Sequence, residues 1–244
     1  MDKSILVVHG DKGGVGKSTF AALATDYVLH TFGKAALVEG DSTIFDVAPR
    51  FENSPDMDIM AVDLARPDMS EDAIVALFDE IERGVDGDSH IIINTPASAG
   101  KTLDAQADLI VPAIEGLGYK LVVCWMVDVG EDSARLSMQS KLCELANLKV
   151  AVRNTRLKAA AALPWATHKA RDAWLKSGGL EVTLPGLTER VVSKVREIQM
   201  PFSQIVTATV KDVDLSIIER QAIRRWVDNS WADGVAPIYQ ALGG

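Results

Sequence analysis

The sequence predicts an α/β domain, a mostly parallel twisted sheet with helices on both faces. Three observations lead there. A short β-branched run, Ile5-Leu6-Val7-Val8, leads into a glycine-rich stretch and then into apolar residues at helical spacing from Phe20 to about His30. Later apolar runs at 35–38, 90–94, 119–127, 150–156 and 180–185 alternate with segments of helical pattern, as in sheets whose parallel strands are joined by crossover helices. Finally, 244 residues with 48% apolar content can bury one full core, so residues 1–244 read as a single domain.

The first strand and helix are joined by Lys12-Gly13-Gly14-Val15-Gly16-Lys17-Ser18-Thr19. Gly13, Gly14 and Gly16 lack a Cβ, so the main chain can turn tightly and aim several N–H groups at one centre. That centre lies at a helix N-terminus, where the dipole and unpaired donors favour an anion. Lys17 is spaced to reach β- and γ-phosphates and the Ser18 hydroxyl to ligate Mg²⁺, with the Thr19 hydroxyl available to the α-phosphate. The competing reading is a glycine-rich turn with an incidental Lys-Ser, and the flanking strand and helix argue against it. The chain therefore reads as a single-domain P-loop nucleoside triphosphatase.

With Lys12 ahead of the paired glycines, the stretch resembles the deviant Walker A loop of the ParA/MinD ATPases. The general pattern has Gly where this chain has Asp11, a departure that ParA-like members tolerate. The resemblance implies that residues 13–19, Val15 included, hold ATP with Mg²⁺ at Ser18. It also implies that Lys12 reaches across a face-to-face, ATP-dependent homodimer to the partner's phosphates. Asp41, in Glu39-Gly40-Asp41-Ser42, matches the family's later switch Asp, which implies a role in holding the attacking water and the metal's shell. As a residue type Asp41 also forms turns and helix caps. Asp46 is a weaker candidate for that role and reads rather as a surface charge.

Where the family usually has Asp-Thr-Pro, this chain has Asn94-Thr95-Pro96. An amide accepts a hydrogen bond from a metal-bound water but brings no negative charge, so ATP binding is expected with slow hydrolysis. Asn94 as a turn former is the alternative. The small residues 98–100 would make a mobile second switch. Asn154 stands where the family carries a base-reading Asn, and an amide suits adenine because it both donates and accepts. No Asp follows in Asn154-Thr155-Arg156-Leu157, which favours ATP over GTP; an ordinary strand-end residue is the other reading. Pro185 matches a proline that lines the family's base pocket. The switch sequence and a long C-terminal helix look most like the plasmid conjugal-transfer and plasmid-stability ATPases (TraL- and StbB-like), with 156–180 and 201–244 as family-variable helical additions. The expectation is an ATP-driven dimerisation switch in DNA transfer or partitioning, with an unknown partner protein. Its rivals are a nucleotide-gated adaptor with little or no hydrolysis and a small-molecule ATP-using enzyme on the same fold. For that enzyme no further catalytic constellation is visible.

The formal charge of −9 argues against a broadly basic nucleic-acid-binding surface, so any DNA contact would be local. Cys124 and Cys143 have no metal spacing and suit a reducing cytoplasm, and His9, His30, His90 and His168 are too scattered to suggest a site. No apolar run has the length of a signal peptide or membrane span, so a cytoplasmic protein is expected. The rest of the chain is read as structure. Gly33 caps the first helix, and 58–63 is a short strand. Ser70 opens a helix to about Arg83, and one helix over 103–117 is kinked or split at Pro112. A further helix spans 132–147. Trp165 and Trp174 share a helix, with core packing favoured over a partner surface. Met200-Pro201-Phe202 is a turn, and a last long helix over 214–231 buries Leu215, Ile218, Ala222 and Trp226, with Ile223 and Val227 beside them. Arg220, Arg224 and Arg225 on that helix read as a solvated face balanced by Glu219 and Asp228, with DNA phosphates as the alternative. Residues 235–242 carry no Lys or Arg and contain Pro237, unlike the basic membrane helix that ends some MinD relatives.

Overall fold

The computed structural model describes residues 2–10, 12–209 and 212–243; Asp11 lies outside them. Strands β1 (Ser4–His9), β2 (Ala35–Glu39), β3 (Met57–Ala61), β4 (His90–Asn94), β5 (Lys120–Val127), β6 (Leu148–Asn154) and β7 (Leu180–Leu184) form one sheet. The order is β3-β2-β4-β1-β5-β6-β7 and every neighbouring pair is parallel. The helices are α1 (Lys17–Phe32), α2 (Ser70–Gly84), α3 (Ala99–Ala105), α4 (Ala107–Gly116), α5 (Glu131–Ser137), α6 (Lys141–Leu145), α7 (Lys169–Lys176), α8 (Glu189–Glu197), α9 (Phe202–Thr207), α10 (Ile217–Ser230) and α11 (Ala236–Gly243).

Side chains alternate across a strand, so each central strand feeds two cores. Leu6, Val8, Leu37 and Ile92 pack on one face with α1 and α8 to α11. Ile5, Val7, Val38, Ile91 and Ile93 pack on the other with α2 to α7. The central strands read as unbroken apolar runs because both faces are covered. Strand β1 is flanked by β4 and β5, and the chain builds outward from it in both directions. The crevice outside the carboxyl ends of the strands at that reversal is where such sheets bind ligands. Gly10, residues 12–16, Glu39, Asn94 and Asn154 all stand at that end.

Several elements differ from the sequence expectation. The break between α3 and α4 falls at Gln106, whose side chain donates to Ser70 Oγ at 3.0 Å. Pro112 instead sits inside α4 on its exposed side, where its missing N–H faces solvent. The helix expected over 132–147 is two, because Ser140 Oγ accepts from Cys143 N at 3.2 Å and starts α6. Trp165 lies in a 3-10 turn at Pro164–Thr167 rather than on α7 with Trp174, and both indoles are buried, 5.8 Å apart edge to face. Pro201 is the residue before α9 rather than a free turn.

The last helix begins later than the apolar pattern suggests. Ser216 and Glu219 make a capping box, so Ile217 and Ile218 occupy the first turn and face solvent. The buried stripe is Ile223, Trp226 and Val227, with Leu215 buried ahead of the helix and Ala222 half-buried. A wide π turn, Trp231–Val235, leads into α11, whose Ile238 and Tyr239 sink into the core. Among the described residues no helix is long and apolar enough to cross a membrane.

Candidate functional site

The loop between β1 and α1 turns through Gly14 at φ +76° and Gly16 at φ +100°, a region that side chains bearing a Cβ rarely enter. Gly16 precedes the first turn of α1 and offers no capping side chain, and the N-terminal end of a helix favours an anion. Lys17 is buried, and its ammonium donates to Lys12 O at 2.9 Å and Gly10 O at 3.2 Å, folded over the loop it belongs to. Lys12 turns the other way. Its Nζ lies 3.1 Å from Asp132 Oδ2, near the start of α5.

Asn154 supports the loop from β6. Its Nδ2 donates to Val15 O at 2.7 Å and its Oδ1 accepts from Arg156 N at 3.0 Å. The fit is close enough that a Cβ on Gly16 would stand 2.5 Å from Asn154 Nδ2.

On the opposite side of the loop, Ser18 Oγ donates to Asp46 Oδ2 at 2.9 Å. Asp41 Oδ1 accepts from Thr43 Oγ1 at 2.6 Å, Thr43 N at 2.9 Å and Ile44 N at 3.2 Å, and these bonds, that of the Thr43 hydroxyl foremost, hold its carboxyl below the ordinary value. Glu39 is buried. Its Oε1 accepts from Val47 N at 2.6 Å and Ala48 N at 2.8 Å, while its Oε2 accepts from Asn94 Nδ2 at 2.8 Å. Burial raises the Glu39 carboxyl despite these bonds. Asn94 is 6% exposed, and its Oδ1 has no hydrogen-bond partner among the described residues.

The loop glycines, Lys17, Ser18, Asp41, Asp46, Asn94 and Asn154 border one cleft of about 660 Å³, of a size that takes a small-molecule ligand. It runs from the loop past Asn154 and Pro185 to Val192, Phe202 and Trp226, and Trp226 Nε1 donates to Pro185 O at 2.8 Å. His9 lies just ahead of the loop, edge-on to Trp125 with ring centroids 4.8 Å apart. Its burial, and then the Lys17 ammonium, push the imidazole down to about 3, so it is neutral at physiological pH.

No family model matches the chain. It is 27% identical over 228 residues to Protein MobD of Acidithiobacillus ferrooxidans, covering 93% of this chain and 94% of that protein. Among solved structures, a ParA family ATPase from Chlorobium tepidum superposes with a TM-score of 0.51 at 12% identity, over 93% of this chain and 98% of that one. The septum site-determining protein MinD from Pyrococcus horikoshii, solved with Mg-ADP, superposes with a TM-score of 0.50 at 17% identity, over 98% of each chain. The chain has the ParA/MinD fold.

The ParA/MinD fold gathers Gly13, Gly14, Gly16, Lys17, Ser18, Thr19, Asp41, Asn94, Asn154 and Pro185 around the same cleft. Val15 is buried beneath the loop, and Lys12 is directed to Asp132 rather than into the cleft. Asp46, the weaker candidate read rather as a surface charge, is the carboxylate that Ser18 contacts. Glu219 does not balance the arginines of α10. It is buried at the start of that helix and accepts from Lys194 and from Arg190 of α8, while Arg220 and Arg224 donate to Ala208 O and Val206 O. Glu39 and Asp132 were not singled out by the sequence, because each meets its partner, Asn94 or Lys12, far away in the chain.

The Mg²⁺ of the MinD complex can be tested against the donors present in this chain. Among the described residues no cluster of three or more His, Cys, Asp or Glu side chains could hold a metal alone. Ser18, Asp41, Asp46 and Asn94 border one cleft and bring hard oxygen donors, the Asn94 Oδ1 among them being buried with no partner among the described residues. Few protein oxygens combined with phosphates and waters is how Mg²⁺ is ordinarily bound, so the donor set fits.

Proposed function

We propose that this chain is a Mg²⁺-dependent ATPase that dimerises when it binds ATP and resets on hydrolysis. The observation that carries the reading is the loop itself: two glycines at positive φ, an uncapped helix N-terminus, and a buried lysine folded across them at the edge of a cleft. In this reading the main-chain N–H groups of 13–19 and the Lys17 ammonium hold the phosphates, and Ser18 and Asp41 hold the metal. Bound with the phosphates, Mg²⁺ would neutralise charge on their oxygens. Asp41 orients the attacking water, with Asn94 accepting from a water of the metal's shell. Asn154 and Pro185 border the base end, and the absence of an acidic residue just after Asn154 supports adenine over guanine.

Lys12 is the residue assigned to the partner's phosphates. Its ion pair with Asp132 joins two groups that are each about half exposed, and such solvent-screened pairs contribute little. Exchanging that carboxylate for a triphosphate costs little, which supports a nucleotide-controlled interface. The process served is proposed to be DNA transfer or partitioning, through a partner protein rather than a broadly basic surface. A second reading, an adaptor that binds ATP with little turnover, is favoured by the neutral Asn94.

Light scattering with ATP, ADP and a non-hydrolysable analogue, run beside phosphate release, tests the proposal. The dimer should form with ATP and the analogue and be lost in Lys12→Ala. An oligomeric state indifferent to nucleotide would overturn the switch, and tight binding with no phosphate release would favour the adaptor.

A further inference from the structure

Glu39 and Asn94 are register partners at the ends of the adjacent parallel strands β2 and β4. Their side chains meet at 2.8 Å, Nδ2 of the amide donating to Oε2 of the carboxylate. The direction of that bond is dictated by chemistry. An ionised carboxylate only accepts, so the amide must present its N–H side to Glu39 and its oxygen to the other side. That oxygen, Asn94 Oδ1, is buried with no partner among the described residues, in a residue bordering the cleft with Ser18 and Asp41. The other carboxylate oxygen, Oε1, is filled by Val47 N and Ala48 N, which follow directly on Asp46, the residue that Ser18 contacts.

We propose that Glu39 is the positioning residue for the divalent-cation shell. It supplies from β2 the negative charge that Asn94 lacks, aims Asn94 Oδ1 at that shell, and fixes the loop carrying Asp41 and Asp46. The two residues form a transposed pair, one charge shared by two adjacent strand ends. A second carboxylate at 94 would set two like charges 2.8 Å apart away from water, and an amide at 39 would set two N–H donors against each other. The inference rests on the phosphate-loop reading above.

The arrangement has a strict test, because the pair can be exchanged without losing a hydrogen bond. In Glu39→Gln/Asn94→Asp the new amide oxygen still accepts from Val47 and Ala48, and its NH₂ donates to the new carboxylate, whose second oxygen faces where Oδ1 did. Three variants are compared with the parent chain by thermal unfolding without ligand, and by calorimetric ATP affinity in EDTA and with Mn²⁺ as the divalent probe. Glu39→Gln should turn the Asn94 amide over and cut the gain in affinity from Mn²⁺ by about tenfold, the scale of lost outer-shell partners. Asn94→Asp should lower the ligand-free unfolding midpoint and show a larger gain in ATP affinity from Mn²⁺ than the parent. The exchanged pair should recover both the midpoint and the Mn²⁺ gain.

An exchanged pair no better than Glu39→Gln in its Mn²⁺ gain, or Asn94→Asp with an unaltered ligand-free midpoint, overturns the inference while ATP binding in EDTA stands. A parent chain that holds no ATP in either condition overturns the phosphate-loop reading and this inference with it.

Discussion

Replacing Gly16 with alanine tests the loop geometry at its tightest point. At φ +100° an alanine is strained by about 1–2 kcal/mol. Its Cβ would also stand 2.5 Å from Asn154 Nδ2, so the amide must leave Val15 O, a buried bond of 2.7 Å whose loss costs about 1–3 kcal/mol. Gly16→Ala should therefore destabilise the ligand-free protein by about 2–5 kcal/mol. Gly14→Ala, at φ +76° with no atom within 4 Å of the added carbon, should cost only the backbone share, about 1–2 kcal/mol. Asn154→Ala removes the same bond to Val15, so the double variant Gly16→Ala/Asn154→Ala should cost less than the sum of the singles by about 1–3 kcal/mol. Denaturant unfolding monitored by circular dichroism measures all four. Costs that add to within about 0.5 kcal/mol, or a Gly14→Ala as damaging as Gly16→Ala, would refute the claim that Asn154 braces the loop through Val15.

Two further outcomes concern the face that packs behind the cleft. Arg50 donates to Val195 O at 2.8 Å, Ile198 O at 2.9 Å and Met200 O at 3.3 Å, and stacks 4.6 Å from the Phe202 ring centre, so it ties the loop after β2 to the end of α8. Arg50→Met keeps the stem but takes the guanidinium donor from Ile198 O and Met200 O, leaving Val195 O only its bond from Ile198 N, and urea unfolding should show a loss of about 3 kcal/mol. Glu219 is held down to about 2 by the Ser216 N–H, then by Lys194 and the Ser216 hydroxyl. Its folded value lies below its unfolded one, so the stability it contributes is present above about pH 4 and is lost as pH falls from about 4 to about 2. In Glu219→Gln the slope of stability against pH in that window should be shallower than in the parent.

How much of this was legible in the sequence depends on how local each signal is. The strand, glycine loop and first helix announce themselves within one stretch, and the two-faced sheet follows from β-branched runs spaced by helices. The start of α10 was legible too, since Ser216-Ile217-Ile218-Glu219 carries the capping-box spacing. The apolar pattern around Leu215 and Ile218 masked it, and the cap won because it fixes the first turn whatever the neighbouring apolar residues favour. Ser140, the cap that divides 131–145 into two helices, was hidden in the same way by a continuous helical pattern. The pairings that shape the site were not legible. Glu39 with Asn94, Ser18 with Asp46, Lys12 with Asp132 and Asn154 with Val15 join residues 28 to 139 positions apart. They exist only once strand order and register bring the ends of β2, β4 and β6 beside the loop.

The central claim is that this loop grips a triphosphate. Calorimetric titration of ATP with Mg²⁺ into the folded protein, repeated with Lys17→Ala after circular dichroism shows it folded, tests it most directly. Saturable binding that disappears in the variant is the result predicted here; no binding of any nucleotide by the folded parent chain, or binding that survives Lys17→Ala unchanged, would contradict it.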